Sequence, residues 1–320
     1  MMDFTLPETA QAVTRLAAEI LAAEPDPWKP LAQAGLLDAT TLGVLDITTL
    51  LTEIGRHNPS LKAHATLMTG ALPLVRWGCP TDQIVSAALR EPSDPQPDPP
   101  ATTVANGKVT GTKVGVLYAE EARLILVPVA DGVALVSPHA PGVTLTRTPS
   151  SSGEPEYTLR MDHAPVEGML GGPDCVRDLY QLAVAGACAL MDGAVAGALA
   201  LTREHVAARQ QFGRPLAAFQ AVSQQIADVY IASRTIHLAA VAACWRLEAG
   251  LDASPEMSTA LGVAGYWCAE QAPPSVRTCH HLHGGLGMDA TYPLHRFSSL
   301  VADLVRYLGG TEYRLACLPT

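Results

Sequence analysis

The chain has 320 residues, of which 16% are charged and 48% hydrophobic, with a formal net charge of −10. An average soluble protein is about 25% charged, so a chain this poor in charge is expected to hide part of its surface against another subunit. The acidic balance argues against nucleic acid or an anionic membrane surface as partner, because both need clustered Lys and Arg.

The N-terminus carries neither a basic segment nor an apolar leader, and the seven Cys are irregularly spaced. Reduced thiols in a cytoplasmic protein are the simplest expectation. Thr5-Leu6-Pro7-Glu8 has the pattern of a capping box, and Val13, Leu16, Ala17, Ile20 and Leu21 follow at helical spacing. Helical patterns continue through Ile47–Arg56 and Ala63–Trp77. Pro92 to Pro100 carries five prolines in nine residues and must be a loop, since Pro lacks the N–H that helices and central strands need.

Beyond that loop the period changes. Thr102–Val104, Lys108–Thr110, Leu124–Val129, Val133–Val136, Val143–Arg147 and Tyr157–Met161 are short β-branched runs, punctuated by Asn106-Gly107 and Asp131-Gly132 turns. From about Asp174 onward the pattern is helical again, in long Ala-rich segments. Leu179–Thr202 could pass for a membrane span, but it is built of small residues with Asp192 near its middle, which fits a closely packed bundle helix better.

Three phrases in the last third can carry chemistry. Arg209-Gln210-Gln211-Phe212-Gly213 leads to Phe219-Gln220, and a planar guanidinium suits a diphosphate. A surface loop with an incidental Arg is the plain alternative. In His280-His281-Leu282-His283-Gly284-Gly285, the two glycines allow a backbone to approach a ligand closely and present its N–H groups. Metal binding by Cys279, His280, His281 and His283 is the rival, and adjacent histidines fit tetrahedral ligation poorly. The third phrase is Leu308-Gly309-Gly310-Thr311.

Together these phrases resemble the C-terminal flavin motifs of acyl-CoA dehydrogenases, and the order of helical domain, β domain and helical bundle resembles that family over the whole chain. The resemblance implies an α+β fold: an N-terminal helical domain over 1–90, a small β-barrel or sheet domain over 91–172, and a four-helix bundle over 173–320. It implies FAD as cofactor. Arg209, Gln211, Phe212, Phe219, Gln220, His281, His283, Gly284, Gly285 and Thr311 would contact it, largely on the adenosine-diphosphate side of a neighbour's flavin. His281 departs from the family, which usually has Gln there.

Two departures are larger. Many members carry a catalytic Glu immediately before the Gly-Thr pair, where this chain has Gly309. A second base position used by some members falls near Ala183, also without an acid, while Glu312 lies three residues past Gly309. The family's Thr-Glu-Pro-x-x-Gly-Ser-Asp loop and Trp-Ile-Thr strand hold the flavin ring. Here Glu91-Pro92 runs into the proline loop, and the strand reads Val114-Gly115-Val116-Leu117. Asp303 and Arg306, three apart, are expected to be a helix-surface ion pair.

The chain therefore resembles the small, non-catalytic subunit of actinobacterial heteromeric (α2β2) acyl-CoA dehydrogenases of sterol catabolism. That likeness implies a full-length catalytic acyl-CoA dehydrogenase as partner, an acyl-CoA bound through it, electron-transfer flavoprotein as electron acceptor, and no catalytic residue of the chain's own. Two alternatives remain at this point. One is a self-sufficient homo-oligomer with a relocated base such as Glu312. The other is a flavin-free scaffold or non-redox protein on the same frame.

Overall fold

The computed structural model describes residues 5–57, 60–250 and 255–318. The N-terminal helices are α1 (Glu8–Ala23), α2 (Trp28–Gln33) and α3 (Val44–His57), then a π-helical stretch His64–Ala71 that continues as α4 (Leu72–Arg76). The expected capping box does not form. Pro7 is the N-cap of α1 and offers no side-chain cap, so Glu8 is already its first residue and too early to reach back.

Eight strands follow: β1 (Val85–Ala87), β2 (Thr103–Ala105), β3 (Lys108–Leu117), β4 (Leu124–Val129), β5 (Gly132–Val136), β6 (Val143–Thr148), β7 (Glu156–Pro165) and β8 (Gly168–Leu170). They make two four-stranded sheets, β1-β4-β5-β8 and β2-β3-β7-β6. Only β1 pairs in parallel, with β4, and it comes from the chain before the proline loop. Asn106 and Gly107 both have positive φ, the geometry of a tight hairpin turn between β2 and β3. Val116, Ile125, Val127, Val136, Leu159 and Met161 fill the core of this domain.

The C-terminal part comprises α5 (Pro173–Ala208), a small hairpin of β9 (Gln210–Gln211) and β10 (Arg214–Pro215), α6 (Gln220–Glu248), α7 (Pro255–His283), α8 (Leu294–Tyr307) and α9 (Gly310–Ala316). The fold is the expected α+β arrangement. Helix α5 is apolar because it is central: 94% of its most hydrophobic window is buried. Its Asp192 is buried and meets His237 Nδ1 of α6 at 2.9 Å, so the one charge in that run has a partner. Helix α3 crosses α5 closely enough that a Cβ on Gly193 would stand 1.9 Å from the Thr52 carbonyl oxygen. A single apolar cluster joins the N-terminal helices to the bundle through Ile47, Leu50, Met68, Leu190 and Leu304. By contrast, α6 leaves Tyr230, Ile231 and Leu238 exposed.

The β domain is bolted to the bundle by the two residues expected to be a surface pair, and here the structure corrects the expectation. Asp303 is buried and accepts from Ser151 N, Ser152 N and Ser152 Oγ at 2.7–2.8 Å. Arg306 does bond Asp303 at 3.1 Å, but its fork also closes on both oxygens of Glu156 on β7. Helical spacing showed the pair; only the packing of α8 against the β domain shows that it is internal.

Candidate functional site: an open phosphate-side surface and a closed ring side

The expected site residues separate into two groups. The first gathers where α5, α6 and α7 meet. Helix α5 ends when Arg209 turns extended, its N–H still bonded to the His205 carbonyl. Phe212 and Gly213 take positive φ at the tip of the β9–β10 hairpin, which pushes Phe212 outward to 91% exposure. Phe212 meets Phe219 edge-on at 6.2 Å, and the Arg214 guanidinium lies 4.0 Å over the Phe219 ring. Arg209, Gln211 and Gln220 are exposed beside them.

The end of α7 completes this group. His283 is buried, stacked on His205 at 4.4 Å, and the stack joins the last turn of α5 to the end of α7. Its Nδ1 lies 2.8 Å from the Cys279 carbonyl and its Nε2 3.0 Å from Tyr292 Oη. Burial holds its pKa below the ordinary imidazole value despite the Cys279 carbonyl, so it stays neutral near pH 7. His283 thus positions the turn from within, whereas His281 is exposed. Gly284 has φ +58°, and a Cβ on Gly284 or Gly285 would meet nothing within 4 Å. His280 is engaged with Gly287 O and Ser298 Oγ. Among the described residues no three His, Cys, Asp or Glu side chains are grouped to hold a metal.

The second group lies at the α8–α9 turn. Helix α9 packs on α7 near Gly265, eighteen residues before His283, or about 27 Å along the helix at 1.5 Å per residue. Gly309 has φ +88° and Gly310 φ +85°, both in the left-handed region. A Cβ on Gly309 would stand 2.6 Å from Pro95 Cγ and 2.8 Å from Tyr313 Cδ1. The proline loop has folded onto this turn: Tyr313 Oη reaches Asp94 at 3.5 Å and Arg314 Nη1 donates to Gln96 Oε1 at 2.8 Å. Thr311 is half-buried and Glu312 exposed in the first turn of α9. Ala183 is buried in apolar surroundings.

The ring-side strand is also filled. Val116 and Leu117 are buried. Arg90 stands where the family loop has its Thr, and its Nη1 is 3.0 Å from the place a Cβ on Gly115 would take. Glu91 is committed to the interior. It accepts from Lys113 Nζ at 2.8 Å, Thr102 Oγ1 at 2.7 Å, and the N–H groups of Ala101 and Thr102. Burial raises its pKa, but those four donors outweigh it and hold the carboxyl at about 2. Sequence reasoning missed Arg90, although its place before Glu91-Pro92 was a usable signal. It also missed the buried Lys113 and Arg314, for which there was none.

The donor set therefore fits one end of a dinucleotide-type cofactor. An exposed guanidinium, a glycine turn with no side chain in the way and outward aromatic rings suit a diphosphate and an adenosine. The ring end does not fit, because Arg90 covers the strand and Pro95 covers the turn.

A profile of the family described as "Acyl-CoA dehydrogenase, C-terminal domain" matches residues 182–314. The chain is 43% identical to acyl-CoA dehydrogenase FadE28 of Mycobacterium tuberculosis, over 99% of this chain and 98% of that one. Among solved structures it is similar to a chain of the ChsE4-ChsE5 complex from Mycobacterium tuberculosis, with a TM-score of 0.88 and 26% identity over 98% and 97% of the two chains. It is likewise similar to a variant of the Tcur3481-Tcur3483 steroid ACAD, with a TM-score of 0.86 and 28% identity over the same shares. With a relative this similar over nearly its whole length, and with the expected fold, the chain belongs to the acyl-CoA dehydrogenase family.

Proposed function

We propose that this chain is the non-catalytic subunit of a heteromeric, FAD-dependent acyl-CoA dehydrogenase in the cytoplasm, completing the flavin site of a full-length catalytic partner in an α2β2 assembly. The observation that carries the reading is Gly309. The place of the family's base is held by a left-handed glycine with Pro95 packed against it, so neither a carboxylate nor room for one is present. Support for a heteromer comes from the similarity to a chain of the ChsE4-ChsE5 complex, and for a sterol-derived CoA thioester from the similarity to a steroid ACAD.

In this reading Arg209 donates paired hydrogen bonds to the diphosphate of the neighbour's FAD. Gly284 and Gly285 offer backbone N–H groups, and Phe212 and Phe219 cover the adenosine from water. The bound flavin supplies the hydride acceptor for α,β-dehydrogenation, and the partner supplies the base. An electron-transfer flavoprotein is the partner that would accept the electrons. The exposed Tyr230, Ile231 and Leu238 face of α6 is the surface that assembly would cover.

The test is expression of the chain alone and with a partner that carries Glu before its Gly-Thr pair. The chain alone is expected to purify colourless and without acyl-CoA dehydrogenase activity, and the co-purified complex to be yellow and active. A yellow, active homo-oligomer from this chain alone would sink the proposal.

A further inference from the structure

A cavity of about 580 Å³ opens between the β domain and the first turns of α5, α7 and α9. That size is ordinary for a small-molecule site. Val129, Val176, Tyr180, Val184 and Leu261 make its walls largely apolar. One lining residue does not belong with them. Arg314 is only 3% exposed, and its contacts are neutral: Nε donates to the Leu308 carbonyl and Nη1 to Gln96 Oε1. Its guanidinium lies 5.3 Å over the Tyr313 ring. Among the described residues Nη2 makes no hydrogen bond and no carboxylate forms an ion pair with Arg314. Asp98, on the rim, is exposed, and Arg177 at the mouth is already paired with Asp174 at 2.6 Å.

A buried charge without a counter-charge is costly, and an incoming anion that pairs with it removes that cost. We propose that this cavity binds an apolar carboxylate, its head group on Arg314 and its hydrocarbon body against the Val176, Val184 and Leu261 walls. The carboxylate suits the guanidinium geometrically, since two parallel N–H···O bonds form where a neutral head could make one. The site belongs to this chain alone and does not depend on a partner subunit or on flavin.

The probe is octanoate, titrated calorimetrically into the full-length chain, beside octanamide and butanoate. Octanoate is expected to bind at least tenfold more tightly than octanamide. Each methylene from butanoate to octanoate is expected to add about fourfold in affinity. Arg314→Gln should bring octanoate down to the level of the amide. Because Arg314 also holds Leu308, that variant can fail to fold, so Ser258→Trp, an exposed position on the cavity wall, gives an independent reading and should abolish binding with Arg314 intact. Equal affinity for acid and amide, a flat chain-length series, or unchanged binding in Ser258→Trp overturns the proposal. So does tighter binding of octanoyl-CoA than of octanoate, which would make the site one for a thioester.

Discussion

Restoring the family's carboxylate by Gly309→Glu is the perturbation that best separates a missing side chain from a closed site. The backbone at Gly309 has φ +88° and ψ +1°, and placing a side chain in the left-handed region costs about 1–2 kcal/mol. The new Cβ would also meet Pro95 Cγ at 2.6 Å and Tyr313 Cδ1 at 2.8 Å. Both must move, and overpacking of this kind costs about 1–3 kcal/mol. The sum is about 2–5 kcal/mol, which for a chain of this size lowers Tm by roughly 3–7 °C. Gly309→Ala carries the same Cβ and should lose nearly as much, which marks the cost as steric rather than electrostatic. Thermal denaturation followed by circular dichroism reads the stability, and a flavin-supplemented dehydrogenase assay with a panel of acyl-CoAs reads function. Neither variant is expected to turn over substrate, because Arg90 still covers the strand that would carry the flavin ring. A Gly309→Glu protein with unchanged Tm would refute the packing of Pro95 on this turn. One that is active by itself would refute the closed ring side.

Arg209→Ala should weaken FAD retention by the co-purified complex about ten- to 150-fold, the worth of a charge-assisted contact, with Arg209→Lys recovering only part; unchanged flavin content would leave Arg209 as a loop residue without a ligand. Phe212→Ser should leave Tm unaltered, since the ring is 91% exposed in the isolated chain, while lowering flavin retention or assembly of the complex measured by gel filtration; a large loss of Tm would contradict that exposure. Glu91→Gln should destabilise the β domain strongly, because Lys113 would be left buried without its counter-charge. The pH dependence follows from the sign. The Glu91 carboxyl is held at about 2 in the folded chain against an ordinary 4.5, so its contribution is present above pH 4.5 and is lost as pH falls towards 2. Denaturation midpoints across that window should fall less steeply in Glu91→Gln than in the parent, and parallel curves would show that Glu91 does not titrate there.

Local rules carried the sequence a long way. The 3.6-residue period, the β-branched runs and the Asn106-Gly107 turn are short-range signals, and they gave the order of helices, strands and helices. The turns at Gly213 and Gly284 were legible as well, because a left-handed backbone favours glycine wherever the chain places it. Gly309 was legible as a missing acid.

What the sequence could not supply were contacts between segments far apart in the chain. Gly309 read as a vacancy, whereas in the structure it is a filled place, because Pro95, more than two hundred residues earlier, packs on it. Asp303 and Arg306 have the spacing of a surface pair on an isolated helix, yet α8 lies against the β domain and turns them inward to Ser151, Ser152 and Glu156. Arg314 shows no periodic sign of burial, and only the docking of α9 on α7 places its charge in the wall of a cavity. Periodicity reports which face of one element is apolar, and the sequence by itself determined that. Which polar groups are then enclosed depends on what the opposite element brings against that face, and that is decided only when the elements pack.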